Sequence, residues 1–302
     1  MMKASLRNTF IIMTDFNKTL RIIGRHAGFF SNVLHMVDNL QYADRNGFKP
    51  VIDVDNDGRF PYSDKRPNIW NHYFKPINDG VEVGEVVTSN IFSTISPIIQ
   101  SPFNTNLNDF VLGFDGRSML WNFKQRNDLE MERFNRQEIG KIVEKYIHLS
   151  DDMESIVNDF HSKNFAEKTL GIHVRGTDYQ FHDFMSYVNA INKHKDNYDR
   201  IYLATDNNET ISRMRELYGD KICYYETQIR ANNFVDTVVV FDGRLIKNDQ
   251  DKVKHGEDVL IEASLLSKCN HIICINSNVP LASLYLNPNS TFELLGRTAI
   301  GG

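Results

Sequence analysis

The order of strand and helix patterns in this 302-residue chain predicts an α/β protein built on parallel sheets. In the second half, four short apolar runs alternate with helical patterns, the signature of βαβ units. In the first half a strand, a glycine-containing turn, a helix and another strand follow one another. The composition agrees: 41% hydrophobic and 24% charged residues, with Gly 17 and Pro 8, exclude a disordered or collagen-like chain and suffice for two cores.

Leu20–Ile23 reads as the first strand and Gly24–Gly28 as its turn. Phe30–Asn46 follows as a helix with Phe30, Val33, Leu34 and Val37 at helical spacing, and Asn46-Gly47 stops it. Pro50–Val54 is the next strand. From Asp55 to Arg117 prolines at 61, 67, 76, 97 and 102 break the pattern into loops and short irregular elements. Helices return at about Asp128–Leu149 and Asp151–Phe165. In the second of these, Met153, Ile156, Val157 and Phe160 form one stripe, with Ser150 or Asp151 as N-cap. The second half then gives strands at Thr169–Val174, Arg200–Ala204, Lys221–Tyr225 and His271–Ile275. Helices are expected between them at Asp183–His194, Glu209–Tyr218 and Asp258–Ser267. In such sheets ligands collect beyond the carboxyl ends of the strands, where the strand order reverses. The places to look therefore follow residues 174, 204 and 275.

A balance of 34 Lys+Arg against 39 Asp+Glu, net charge -5, offers no bulk footprint for nucleic acid, though a local basic pocket for phosphate is compatible with it. Cys223, Cys269 and Cys274 make no disulfide framework and no zinc spacing, which suits a reducing compartment. The apolar run Phe10–Met13 is too short for a signal peptide, and no stretch reaches the roughly 20 apolar residues of a membrane span. The expectation is a cytoplasmic protein without an integral membrane segment.

The first strand of the second half runs into Gly171-Ile172-His173-Val174-Arg175-Gly176-Thr177-Asp178. An Arg there suits a phosphate, because its planar fork makes two charge-assisted bonds to phosphate oxygens. The plainer alternative is a surface pair between Arg175 and Asp178. The second strand ends in Ala204-Thr205-Asp206-Asn207, where Thr205-Asp206 also makes a good N-cap for the next helix. The fourth ends in Asn276-Ser277-Asn278, either an anion cradle at a helix start or a plain cap. Glu262, inside a helical run, must face solvent or serve a ligand.

Together these strings resemble the fucosyltransferase superfamily that includes α1,2- and α1,6-fucosyltransferases, protein O-fucosyltransferases and Nod-factor fucosyltransferases. His-x-Arg-x-Thr-Asp at 173–178 is similar to its first motif, 204–207 to its second, and the run from Glu257 to Val279 to its third. Gly24–Asn32, with Gly28, is loosely similar to its N-terminal glycine loop. The resemblance implies a GT-B-type glycosyltransferase with two Rossmann-like domains facing a cleft: residues 1–160 on the acceptor side and 161–302 binding the nucleotide sugar. It implies transfer of L-fucose from GDP-fucose to a glycan hydroxyl, inverting and without a metal or other cofactor. Arg175 would grip the diphosphate, His173 contact the nucleotide, Ser277 and Asn278 hold phosphate oxygens, Glu262 read guanine and Asp206 support the site. Asp178 or Asp183 would act in proton transfer. Gly176 stands where many members carry a second Arg, which leaves the pocket less positive.

Other readings compete. Asp53-Val54-Asp55-Asn56-Asp57-Gly58, continuing to Asp64, imitates an EF-hand calcium loop, but a strand precedes it and Pro61 lies within it. Its Asp-x-Asp pairs also fit a manganese-dependent glycosyltransferase. A non-catalytic nucleotide- or glycan-binding module is a third possibility. The ten histidines show no metal-ligand spacing. Trp70, His72, Tyr73 and Phe74 could stack on an acceptor sugar or belong to the core.

Overall fold

The structure, a computed structural model, describes residues 17–24, 27–54, 60–78, 80–88, 129–175, 183–232, 246, 248–275 and 277–295. Strand β1 (Lys18–Ile23) lies between β2 (Lys49–Asp53) and β3 (Glu85–Thr88) in a three-stranded parallel sheet. Leu20 and Ile22 point into the core at 0% exposure, the alternation expected of a half-buried strand. Helix α1 (Phe29–Asn46) connects β1 to β2. Gly47 ends it at φ 69°, a left-handed conformation that glycine adopts without strain, as Asn46-Gly47 leads one to expect. β3 lies in the stretch whose prolines suggest only irregular structure. So does α2 (Trp70–Tyr73), which is followed by an antiparallel bridge from Phe74 to Leu149.

Helices α3 (Leu129–Tyr146) and α4 (Asp151–Asn164) follow. Ser150 caps α4, its Oγ accepting from Met153 N–H at 3.5 Å. Met153 and Val157 are buried and Ile156 and Phe160 pack beside them, so the apolar stripe is the packed face.

The second sheet contains β4 (Thr169–Val174), β5 (Arg200–Thr205), β6 (Ile222–Cys223), β7 (His271–Cys274) and β8 (Thr291–Leu294). Its order is β6-β5-β4-β7-β8 and every pairing is parallel. The chain moves outward from β4 through β5 to β6, then returns to the other side of β4 as β7. The strand order therefore reverses between β4 and β7. Helices α5 (Phe184–His194) and α6 (Asn208–Tyr218) cover one face, packing Tyr187, Ile191, Ile211 and Met214 on Leu170, Ile172, Ile201 and Leu203. Helix α7 (Asp249–Ser267) covers the other, and α8 (Asn278–Leu286) packs on it. Gly171 lets α7 lie close: a Cβ there would sit 2.9 Å from Cys269 Sγ and 3.1 Å from Leu266 Cδ2. The close approach is to a helix.

Three further elements differ from the sequence reading. β6 is shorter than Lys221–Tyr225, because a 3-10 turn occupies Gly219–Lys221 and the Tyr225 carbonyl accepts from Arg230 Nη2. α7 begins at Asp249, nine residues before Asp258, where Asn248 Oδ1 accepts from Asp251 N–H at 2.8 Å. β8 extends the sheet where no strand is read. Residues 160 and 161, the expected domain boundary, lie inside α4. One apolar core runs from Leu20, Phe29 and Leu40 through Tyr73 and Phe74 to Leu260, Leu266, Leu281 and Leu284.

The seam between α2 and α7 gives a first prediction. Gly256 abuts Tyr73: an added Cβ would fall 2.5 Å from its hydroxyl and 2.9 Å from Cζ. Tyr73 is 1% exposed, donates to Tyr62 O at 2.7 Å and packs edge-on against Phe29 at 5.0 Å, so it cannot yield cheaply. Alanine gains about 1 kcal/mol of helix propensity. Overpacking costs about 1–3 kcal/mol and the disturbed hydrogen bond about 1 more. Gly256→Ala should lower the Tm, and a rise would show that Tyr73 can move aside.

Candidate functional site

The register of the second sheet sets three strand ends side by side. His173 pairs with Ala204, Val174 with Thr205, and Ile172 with Ile273, so β4, β5 and β7 finish at one level. That level is the switch point, where an open α/β sheet places its ligand.

His173, the penultimate residue of β4, is 5% exposed, and its Nδ1 has no hydrogen-bond partner among the described residues. Burial, reinforced by the Arg175 charge, depresses its pKa to about 3, so the ring is neutral at physiological pH. Arg175 follows the strand directly and is half-buried. Asp178 lies outside the described residues.

Across the register, Thr205 ends β5 with its N–H donating to Glu262 Oε1 at 3.0 Å and its Oγ1 buried without a partner among the described residues. The N-cap of α6 is Asn207, two residues beyond Thr205. Its Oδ1 accepts from Thr210 N–H at 3.0 Å. The expected capping role of Thr205-Asp206 is therefore corrected, because the helix starts one residue earlier than Glu209. Asp206 is half-buried beside it, and its carbonyl accepts from Ala231 N–H at 2.9 Å.

Glu262 does not face solvent. It projects from α7 to the end of β5 at 4% exposure. Burial pushes its carboxyl up to about 8; nearby Asp206 acts in the same direction, and Arg230 and hydrogen bonds from Gln228 and Thr205 N–H oppose it.

Sequence reasoning misses the segment that closes this corner. Arg230 is 8% exposed and donates from Nε to Thr205 O at 2.9 Å and from Nη2 to Gln228 Oε1 at 2.7 Å. Asp258, wholly buried, accepts from Ile229 N–H at 2.8 Å and from Lys254. Burial raises the Asp258 pKa against the pull of Lys254. Gln228 and Arg230 match no spacing rule. Only a buried Asp and Glu four residues apart on one helix hint at partners there.

At the end of β7, Ser277 stands at the N-cap of α8 without capping it: its side chain makes no cap bond and its buried Oγ lacks a partner among the described residues. Asn278 Oδ1 is likewise unpartnered among them. Polar groups at a helix start are suited to an anion, because backbone N–H groups and the positive end of the helix dipole are directed outward there. His173, Arg175, Asp206, Glu262, Ser277 and Asn278 thus gather on three adjacent strand ends and the helix above them.

Two predicted residues stand at helix starts. Asp183 is exposed and caps α5, its Oδ1 accepting from Met185 N–H at 3.2 Å. Gly28 starts α1 in the first sheet, with Tyr62 Oη 3.9 Å from where its Cβ would be. The aromatic run is core: Trp70, Tyr73 and Phe74 are at most 3% exposed, and the half-buried His72 pairs with Glu257 Oε1 at 2.7 Å. The calcium-loop reading falls because strand β2, not a helix, leads into it. Asp55 and Asp57 lie outside the described residues. Asp64 is held by Arg66, whose hydrogen bonds lower its carboxyl to about 2. An open groove of about 690 Å³, lined by Arg66, Asn71, His72, Lys75 and Asp152 among others, includes none of the strand-end residues.

No protein-family profile matches the chain, and no curated protein matches it in sequence. Solved structures do match in three dimensions. NodZ α-1,6-fucosyltransferase, a Bradyrhizobium protein, soaked with GDP-fucose aligns at TM-score 0.55 and 17% identity, over 89% of this chain and 92% of that one. An Arabidopsis thaliana FUT1 mutant in complex with GDP aligns at 0.54 and 10% identity, over 94% and 71%. POFUT1 in complex with GDP-fucose aligns at 0.51 and 10% identity, over 94% and 99%. At such identities the likeness is one of architecture: the chain has the GT-B-type α/β fold that these fucosyltransferases share.

Proposed function

We propose that the chain is a GDP-fucose-dependent fucosyltransferase that transfers L-fucose to a glycan hydroxyl. The observation that carries the reading is the switch point itself. Arg175 follows β4 there, and Ser277 and Asn278, whose Oγ and Oδ1 have no partner among the described residues, open α8 beyond β7, in a fold shared with proteins crystallised with GDP or GDP-fucose. Residues 1–160 would supply the acceptor side and 161–302 the donor side.

In this reading the acceptor hydroxyl oxygen attacks the anomeric carbon from the face opposite GDP. The bond from that carbon to the β-phosphate oxygen breaks, and the configuration inverts in one displacement. Negative charge grows on the departing diphosphate, where the Arg175 fork, Ser277 Oγ, Asn278 and the N–H groups opening α8 stabilise it without a metal. Asp178 or Asp183 accepts the hydroxyl proton. Glu262 receives guanine's N1–H and exocyclic amine, His173 contacts the nucleotide as a neutral ring, and Asp206 buttresses the strand end. Gly28, opening α1, borders the donor from the first half.

The test is a nucleotide screen paired with an activity assay. GDP should raise the Tm by several degrees while UDP and CMP leave it unchanged, since a ligand specific for the native state stabilises it. Fucose transfer should persist in excess chelator. Transfer that vanishes in EDTA and returns with manganese would replace this reading by the metal-dependent one. GDP binding without turnover would leave only a binding module.

A further inference from the structure

At the opposite end of the second sheet, where the strands begin, three metal-ligating side chains from three elements converge. His271 opens β7, Glu293 lies in β8 and His194 is the last residue of α5. One donor atom of each lies within 4.8 Å of the other two. His194 Nε2 is 3.0 Å from Glu293 Oε2, and the two imidazole centroids are 4.5 Å apart.

The hydrogen bonds around the cluster orient these atoms. Thr291 Oγ1 donates to Asn270 O at 3.3 Å, so its oxygen accepts from His271 Nδ1 at 2.7 Å. In that arrangement Nδ1 carries the ring proton and Nε2 the lone pair. That Nε2 is buried and has no partner among the described residues. Lys193 Nζ occupies Glu293 Oε1 at 2.9 Å, which leaves Oε2 for the histidines. A ligand histidine held through its other nitrogen, and a carboxylate held through its other oxygen, are the outer-shell supports that metal sites use.

We propose that His194, His271 and Glu293 bind a divalent transition-metal ion of the zinc type, at a site separate from the carboxyl ends of the strands. Zinc bonds of about 2.0–2.2 Å place neighbouring ligand atoms roughly 3.3 Å apart in a tetrahedron. The His194–Glu293 pair already meets that spacing, and a ring rotation brings His271 Nε2 in. Two imidazoles and one carboxylate suit zinc better than calcium or magnesium, which take oxygen ligands. A water completes the set. In the metal-free protein His194 Nε2–H donates to Glu293 Oε2. On binding, the ion displaces that proton, which is released to solvent or taken up at Nδ1, and the neutral ring presents its Nε2 lone pair to the ion. The ion would tie the end of α5 to β7 and β8, six residues along the chain from Ser277, about 20 Å if extended. It is therefore a structural clip and takes no part in transfer. Sequence spacing predicts no histidine site, because the ligands come from elements that only the parallel sheet brings together.

Zn²⁺ added to chelator-stripped protein should raise the Tm by about 5 °C at a hundredfold excess over its Kd. Co²⁺ in its place should give the visible absorption of a tetrahedral centre. Both signals should disappear in His271→Ala and in Glu293→Gln, the second a neutral near-isostere that preserves packing. An unchanged Tm in the parent, or an equal rise in the two variants, would overturn the site. Transfer activity in chelator bears on the fucosyltransferase reading alone, so the two proposals can fail separately.

Discussion

Arg175→Ala should lower the transfer rate by at least about a hundredfold while leaving the Tm nearly unchanged. The effect follows from where the side chain stands. It leaves the end of β4 at the reversal of strand order, next to a histidine that is neutral and therefore adds no positive charge of its own. Gly176 follows it, so no second guanidinium adjoins it in sequence. As the bond to the sugar breaks, charge accumulates on the phosphate oxygen, and a preorganised donor contributes more to that state than to the bound substrate. Losing one such donor typically costs two to three orders of magnitude in rate. Arg175→Lys should recover little, because an ammonium is a point charge and cannot present the paired N–H groups of the fork. If Arg175 served only a surface ion pair, either substitution would change stability by about 0–1 kcal/mol and leave kcat intact. Measuring kcat and Tm on both variants separates the cases. Normal turnover with a slightly lowered Tm would remove Arg175 from the site.

The strand ends were legible in the sequence because each strand of a parallel sheet is buried on both faces and reads as a short apolar run. Thr169–Val174 and Arg200–Thr205 match their expected spans to within a residue for that reason. The candidate residues follow from the same regularity: polar residues that interrupt an apolar run mark where the strand ends, as at Arg175, Asp206 and Ser277. Elements set by tertiary contacts were hidden. β3 and β8 are four residues each, too short to show alternation. The first nine residues of α7, Asp249–Glu257, carry little apolar periodicity, and that part of the helix rests on its Asn248 cap and the packing of Gly256 on Tyr73. Arg230 was invisible because its partners are mainly backbone carbonyls, at Thr205 and Tyr225, and a carbonyl leaves no mark in a sequence. The His194–His271–Glu293 cluster was hidden for a related reason, since its proximity is created by strand order.

GDP affinity should rise about tenfold per pH unit between roughly pH 6 and 8 and level off above, through Glu262 alone. In the free protein burial holds this carboxyl protonated up to about pH 8. Guanine presents two donors, N1–H and the amine, which only the ionised carboxylate can receive together. Binding therefore lowers the Glu262 pKa and releases a proton, and raising the pH removes the cost of that release. Stability runs the other way. A carboxyl whose folded pKa lies above its unfolded value contributes stability that is fully present below the unfolded pKa, near 4.5, and is lost as the pH rises through about 8. Glu262→Gln keeps an oxygen for the Thr205 N–H but cannot ionise. It should bind GDP more weakly at pH 8 by about 1–3 kcal/mol, with a flatter pH profile, and its Tm should exceed the parent's at pH 8.5 while matching it at pH 5. The terminal phosphate of GDP, with an ionisation near pH 6, titrates against both proteins, so the difference between their profiles isolates Glu262. Calorimetry in two buffers of different ionisation enthalpy counts the released proton. Parallel pH profiles for parent and variant would mean that Glu262 only braces the end of β5, and that guanine is read elsewhere.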